Sequence, residues 1–205
     1  MKSFRMLQQW QRKRLSVTYA DLMSRDNSRP ACEFFLDELY GGLDFLKRDQ
    51  DMDRVMPVMV RFLPGHALES LAGAFELQAI SLECDIEVSG ILDREGFDEL
   101  DLHRYAEAYR AFGNRPQREK QIELIRQLGI DLGRLVDKPL VSYLVRLLRG
   151  PAHAAGFGEL QQFLESGLAS FRRLEDRVTF VETIYQREWL AMEKLFAGDE
   201  HPYRF

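Results

Sequence analysis

Cysteine is scarce in this chain, and long apolar runs are absent from it. The 205 residues include two cysteines, Cys32 and Cys84, which form neither a CxxC pair nor a metal-ligand spacing. Their spacing favours two buried thiols in a reducing cytoplasm. No apolar run approaches the roughly 20 residues that a membrane span needs, and the N-terminus carries charges where a signal peptide has an apolar core. We therefore expect a cytoplasmic protein without a membrane span.

The short motifs of common catalytic chemistry are also missing. The sequence contains no GxSxG elbow, no GxxxxGK[ST] phosphate loop and no GxGxxG after a strand. None of its four histidines has a glutamate three residues before it, which argues against a di-iron bundle. His103 and His153 are candidate haem ligands, but ordinary exposed or hydrogen-bonded histidines are the favoured interpretation. These absences favour a protein that is not an enzyme, and we predict no cofactor and no metal.

Apolar residues recur with a helical period, and nowhere do they alternate with period two over a strand's length. We therefore predict an all-α fold of about eight to ten helices in a single domain covering residues 1–205. Residues 1–27 are expected to form a basic amphipathic helix. Residues 198–205 are expected to be a tail that is frayed or laid on the surface.

The predicted helix 66–93 carries the most informative pattern. One apolar arc has the spacing of a helix that packs lengthwise against a neighbour, and it comprises Leu68, Ala72, Phe75, Ala79, Leu82 and Ile86. A second apolar arc comprises Leu77, Ile80, Cys84, Val88 and Ile91. Glu76 and Glu83 lie between the two arcs, so the pattern predicts two carboxylates inside a broad apolar sector.

A buried carboxylate costs several kcal/mol unless it is paired or protonated, so these two glutamates need partners. Salt bridges are the favoured interpretation, and the candidate partners are Arg48, Arg54, Arg110 and Arg118. A carboxylate-only metal site is one alternative, and exposure of the glutamates through a misassigned helix face is another. The candidate buried polar centre is therefore Glu76, Glu83, Arg110 and Arg118.

Charge is unevenly distributed along a chain whose net charge is −5. Residues 1–29 carry seven Lys/Arg against two acids, residues 66–101 one against ten, and residues 102–150 ten against five. This alternation indicates helices that neutralise one another within one fold. It disfavours a nucleic-acid surface, because the basic charge is not collected in one region.

Two surface features are candidates for contact with a partner. The basic residues Arg12, Lys13 and Arg14 could lie on an anionic membrane or phosphate backbone, although a solvated basic face on a packed helix is favoured. Phe34 falls among acids on its predicted helix. It is either covered on two sides, which is favoured, or a docking knob.

Three further patterns each have an ordinary interpretation that we favour. The cluster Arg48, Asp49, Asp51, Asp53 and Arg54 favours helix capping with an arginine network over a cation site. Tyr105 and Tyr109 favour a core position over stacking on bases. Gly129 and Gly133 either allow a close helix crossing or merely loosen their helix.

The runs FFLDELYG and RDQDMDRVMP resemble the signature of the uncharacterised bacterial FFLEELY-motif proteins, with Asp37 where that name has Glu. The runs LLRGPAHAAGFGELQQFLESG and REWLAMEKLFAG are also similar to that group, so the resemblance covers nearly the whole chain. It implies one intact bacterial domain and no particular activity.

These patterns predict a bacterial accessory or regulatory module that is not an enzyme and binds another macromolecule. A protein is favoured as partner over nucleic acid, and a homodimer is also compatible with the sequence. The alternative is a helical bundle that binds a small ligand or metal at the predicted polar centre, with or without enzymatic activity.

Overall fold

The computed structural model describes residues 2–40, 65–95, 99–139, 141, 143, 145, 146 and 158–205. Within these residues the regular backbone is helical and contains no strand, which confirms the all-α prediction. Eight helices are delimited there: α1 (Lys2–Thr18), α2 (Ala20–Met23), α3 (Arg29–Tyr40), α4 (Gly65–Glu95), α5 (Leu102–Phe112), α6 (Arg115–Leu135), α7 (Gly158–Arg172) and α8 (Arg177–Ala197). Further helical residues occur at 139, 141, 143, 145 and 146.

The ends of α5, α6 and α8 follow from local side-chain chemistry. Asp101 caps α5 by accepting the backbone N–H of Arg104 at 2.9 Å, and Asp176 caps α8 by accepting that of Thr179 at 2.9 Å. Gly113 ends α5 in the left-handed conformation, with φ of 65°, which glycine adopts at little cost. Asn114 then caps α6, so α5 and α6 are joined by a tight turn.

The predicted N-terminal helix is a helix with one interruption. α1 and α2 are separated by Tyr19, whose N–H still donates to the carbonyl of Leu15 at 2.9 Å. Pro30 lies in the first turn of α3, where its missing N–H costs nothing. The chain reverses through α2, so α3 packs against α1 and α2. It also packs on α7.

Two apolar clusters form the core. The first lies between α1, α4, α5, α6 and α8, and includes Leu7, Val88 and Met192. The second lies between the α2–α3 region, α6, α7 and α8, and includes Cys32, Phe171 and Val181. Because α6 packs on α4, on α7 and on α8, it joins the two clusters.

The C-terminal tail is more integrated than predicted. Pro202 is among the most completely buried residues, and the ring of Tyr203 lies beneath the guanidinium of Arg14 at 4.7 Å. The Nζ of Lys194 donates to the carbonyl of Arg204 at 2.7 Å. Residues of this tail therefore pack against both α8 and α1.

Among the described helices, none combines the length and the apolar composition that a bilayer crossing requires.

Candidate functional site

The prediction that Glu76 and Glu83 are buried is wrong. Both residues are exposed, with 47% of the Glu76 side chain accessible to solvent. The carboxylate of Glu76 contacts the ammonium of Lys120, and that of Glu83 accepts from Nε2 of Gln117 at 2.7 Å. Their partners therefore come from α6, and they are neither Arg110 nor Arg118.

The physical reason for this error is the rotation of α4 about its own axis. The second apolar arc is the buried one, because Leu77, Ile80, Cys84 and Val88 face the core. The first arc, which has the spacing of a packed seam, faces outward. Leu82 is 38% exposed and Ile86 is 52% exposed. The misassigned helix face that sequence reasoning kept as an alternative is what the structure shows.

A charged centre does lie inside the bundle, and the acid that α4 contributes to it is Asp85, not Glu76 or Glu83. Asp85 is 8% exposed and accepts a hydrogen bond from Nε2 of Gln11 on α1 at 3.0 Å. Burial raises the pKa of the Asp85 carboxyl to about 6, although the bond from Gln11 and the charge of Arg118 both favour the ionised form.

Arg118 is the predicted arginine that the structure buries in this centre. Its side chain is 5% exposed, and its guanidinium lies 4.6 Å from the ring centroid of Tyr109, within the range of a cation–π contact. Its Nη1 donates to Oε1 of Gln121 at 3.0 Å. Its Nε and Nη2 are buried without a hydrogen-bond partner among the residues that the structure describes. Aromatic faces and nearby charge therefore carry much of its stabilisation.

Arg14 extends the charged centre towards α8. The prediction that Arg14 belongs to a contact surface is therefore wrong. Its side chain is 10% exposed and makes a bidentate pair with Glu188, at 2.6 and 3.3 Å. The hydroxyl of Tyr19 donates to the same carboxylate at 2.7 Å. The ion pair fixes α1 to α8, so reversing the charge of Arg14 would disturb the fold before it disturbed any partner.

Tyr105 links the two halves of the centre. It stacks on Trp10 with ring centroids 4.3 Å apart, and it is close enough to both Arg14 and Arg118 for their charges to lower its pKa. Burial is the larger effect, so the pKa of the Tyr105 hydroxyl is raised overall. Tyr109 is buried on the same helix, which confirms the core interpretation for both tyrosines.

This buried centre holds five helices together. It draws side chains from α1, α4, α5, α6 and α8. Among the described side chains, no three His, Cys, Asp or Glu residues lie close enough together to hold a metal ion. The arrangement is chemically suited to fixing helix positions, because charged groups buried in fixed pairs specify which elements meet.

The two thiols are buried and free, as predicted. Burial raises the pKa of Cys32 to about 12 and also raises that of Cys84. A raised thiol pKa keeps the sulfur protonated and weakly nucleophilic.

The remaining predicted contact residues lie on two different surfaces. Arg12 and Lys13 are exposed and line a groove of about 600 Å³ between α1 and α3, with Met23 and Leu36 also lining it. Phe34 is half-buried, and its Cζ lies 2.9 Å from where a Cβ on Gly167 of α7 would be. This position agrees with the interpretation that Phe34 is covered. A role of Arg12 and Lys13 in partner contact stays a prediction.

Several predicted residues cannot be placed. The network residues Arg48, Asp49, Asp53 and Arg54 lie outside the described residues, as do Asp51 and His153.

Two other predicted residues have ordinary partners. Arg110 is half-buried, and its Nη1 donates to the carbonyl of Leu195 at 3.2 Å, so it joins α5 to α8. His103 lies on the surface of α5, 3.4 Å from the carboxylate of Glu107.

Sequence reasoning missed Asp85, Gln11 and Glu188. One signal for Asp85 was present, because it lies on the side of α4 that carries small and polar residues: Ser70, Ala74, Gln78, Ser81, Asp85 and Ser89. Small side chains allow a neighbouring helix to approach closely, and α1 packs here on α4. Glu188 carried no comparable signal, since its partner lies 174 residues away in the chain.

A family model matches residues 1–202, and the family is described as a domain of unknown function, DUF8198. No curated protein and no solved structure matches the chain. The prediction of an uncharacterised family is thereby confirmed, while the FFLEELY signature and a bacterial origin stay predictions.

Proposed function

We propose that this chain, which belongs to the DUF8198 family over residues 1–202, is a non-enzymatic module that binds another protein through the outward face of α4. The occupant of that face is an α-helical segment of the partner, laid along residues 72–86. An accessory or regulatory role in a bacterial cytoplasm belongs to the same proposal.

The observation that supports this proposal is the outer seam, which we define as Ala72, Phe75, Ala79, Leu82 and Ile86. These positions follow the alternating three- and four-residue spacing that helix-on-helix packing uses. Phe75 is half-buried, and the other four members are exposed. The seam is therefore an apolar stripe with the period of a helix contact, and four of its five members are exposed.

The exposed apolar residues of the outer seam follow one face of α4 and are not scattered singly. Isolated apolar residues on a surface need no explanation, whereas contiguous apolar patches mark interaction sites. A partner helix that lays its apolar face along such a stripe is a recurring mode of recognition, read as anchors at successive helix turns. The spacing of the seam favours this mode over a flat protein contact.

The alternative function, a ligand or metal site at Glu76 and Glu83, loses its basis. Both side chains lie on the outside of α4, where water solvates them and where α6 already supplies partners. Binding there would need a concave site, and these two residues lie beside an outward-facing stripe.

The experiment is site-specific photo-crosslinking in the cells that make the protein. A photoreactive residue at position 82 should give a heavier covalent adduct, because the seam is the proposed contact. The same residue at position 178 is the matched control, since Val178 is 63% exposed on α8 and is apolar. The adduct should disappear when Ile86→Glu is combined with the crosslinker at 82. Equal adducts at 82 and 178, or none at 82, would contradict the proposal.

A further inference from the structure

We infer that the partner helix is basic, with lysine or arginine along the edge that meets the glutamates of α4. This inference rests on the proposed function and names the chemistry of its partner. It follows from the acidic edge, which we define as Glu69, Glu76, Glu83 and Glu87. All four are exposed and lie along the same side of the outer seam, the side on which α6 packs.

The acidic edge is only partly neutralised within the molecule. Lys120 contacts Glu76, whereas Glu83 receives a hydrogen bond from the neutral amide of Gln117. Within the part of the chain that the structure describes, Glu69, Glu83 and Glu87 have no cation within salt-bridge distance. The edge therefore presents net negative charge to whatever lies on the seam.

Charges that flank an apolar seam select the partner more than they set the affinity. In paired helices, the residues beside the seam form the interhelical salt bridges that fix partner choice and orientation. An acidic partner would meet like charge, and a neutral one would leave the glutamates uncompensated. A helix with Lys or Arg at the facing positions satisfies both the seam and the edge.

A second copy of this chain is a poorer occupant. In an antiparallel pair centred on Ala79, the apolar residues would fit, because Ala72 would face Ile86 of the other copy. An antiparallel arrangement also brings the acidic edges of the two copies together on one side of the seam, and facing like charges oppose pairing. In a parallel pair Glu83 would face Gln78, which compensates no charge. The sizes of the seam residues permit self-association, but the charges oppose it.

The length of the seam fixes the size of the partner segment. Ala72 and Ile86 are fourteen positions apart in the sequence, which at the rise of an α-helix is about 21 Å, or about four turns. A partner segment of this length is short for a permanent assembly and suits a reversible contact.

The test uses two designed helical peptides of about 21 residues, a length that supports a helix in solution. Both carry leucine at the seam positions; one has lysine and the other glutamate at the flanking positions. Binding to the full chain is followed by fluorescence anisotropy. The lysine peptide should bind about tenfold more weakly to the Glu83→Lys/Glu87→Lys variant than to the parent. The glutamate peptide should show the opposite order.

A matched control removes the effect of net charge. Glu175→Lys/Glu200→Lys changes the total charge equally at two exposed positions outside α4, and it should leave the affinity of both peptides unchanged. Added salt should weaken the binding of the lysine peptide to the parent protein, since exposed charge pairs are screened. The affinities of the lysine and glutamate peptides should then become similar.

The outcomes separate this inference from the proposed function. Crosslinks at position 82 with no preference for the lysine peptide would overturn the basic partner and leave protein binding in place. An adduct whose mass equals two copies of the chain would also overturn it, with self-association as the answer. No crosslink and no peptide binding would overturn both.

Discussion

Asp85 is a buried acid whose charge is compensated only in part. It accepts a hydrogen bond from Gln11, and the charge of Arg118 also favours its ionised form, yet burial still raises its pKa from 3.8 to about 6. Because the folded state holds the proton more tightly than the unfolded chain, the contribution of Asp85 to stability is most favourable at low pH. It is lost as the pH rises through about 6. The shift corresponds to about 3 kcal/mol at high pH.

Asp85→Asn should therefore flatten the pH dependence of stability. Between about pH 5 and about pH 8, the parent should lose about 1–2 kcal/mol of unfolding free energy relative to the variant. The neighbours Arg118 and Tyr105 have pKa values raised above their ordinary ones, so they do not titrate in this window. Urea unfolding of both proteins at the two pH values measures the difference. Identical pH profiles would show that Asp85 is not desolvated in the fold.

At the scale of single residues, sequence reasoning identified Arg118 and the core tyrosines but missed Asp85 and Gln11. Arg118 follows the start of α6 by three residues, and its charge made it an evident candidate for an inward partner. Asp85 was not among the candidates, and a lone acid on a helix is ordinarily solvated. The choice between a solvated and a buried acid depended on Gln11, which lies 74 residues away in the chain.

At the scale of helices, the sequence determined where α4 lies in the chain and not which face it buries. Residues 66–93 were predicted, and the helix spans Gly65–Glu95. Two apolar arcs on one helix give two possible rotations, and spacing alone cannot choose between them. The structure chooses the arc adjoining the small and polar side, because α1 packs there and supplies Gln11 to Asp85.

The sequence left open whether Gly129 and Gly133 allow a close helix crossing or merely loosen their helix. At the crossing of α6 and α8, Gly129 is required by packing. A Cβ on Gly129 would lie 2.7 Å from Cγ2 of Val181, a contact that real Cβ atoms essentially never make. Gly129 therefore permits the close approach of the two helices. At Gly133 the nearest atoms would be at 3.6 Å, an ordinary contact, so this second glycine is not required by packing.

Gly129→Ala should destabilise the protein by about 1–2 kcal/mol, because a β-branched valine cannot move aside without shifting its helix. Gly73→Ala is the matched control, since its Cβ would lie 3.5 Å from Cδ2 of Leu128. That change should stabilise the fold by about 0.5–1 kcal/mol through helix propensity. Urea unfolding distinguishes the two signs, and equal effects would show that α6 and α8 do not cross this closely.

At the scale of the whole molecule, the helical class was predictable and the division of its core was not. Period alone excluded strands, because no stretch alternates apolar and polar residues. The separation into two apolar clusters joined by α6, with a charged centre beside the first, depends on contacts between distant parts of the chain. The organisation as a single domain stays a prediction, as does a cytoplasmic location.

The proposed function depends on whether the outer seam of α4 faces solvent. If the seam faces solvent in the free protein, a charge on it should cost little, since surface substitutions change stability by about 0.5 kcal/mol or less. A charge on the buried arc should be severe, because Val88 is fully buried and would be replaced by an unpaired carboxylate.

The most direct test is the unfolding free energy of Ile86→Glu, measured in urea beside the parent and Val88→Glu. We predict that Ile86→Glu stays within about 0.5 kcal/mol of the parent, while Val88→Glu loses several kcal/mol. A loss for Ile86→Glu as large as that for Val88→Glu would mean that the outer seam is buried within the molecule, and the proposed docking surface would not exist.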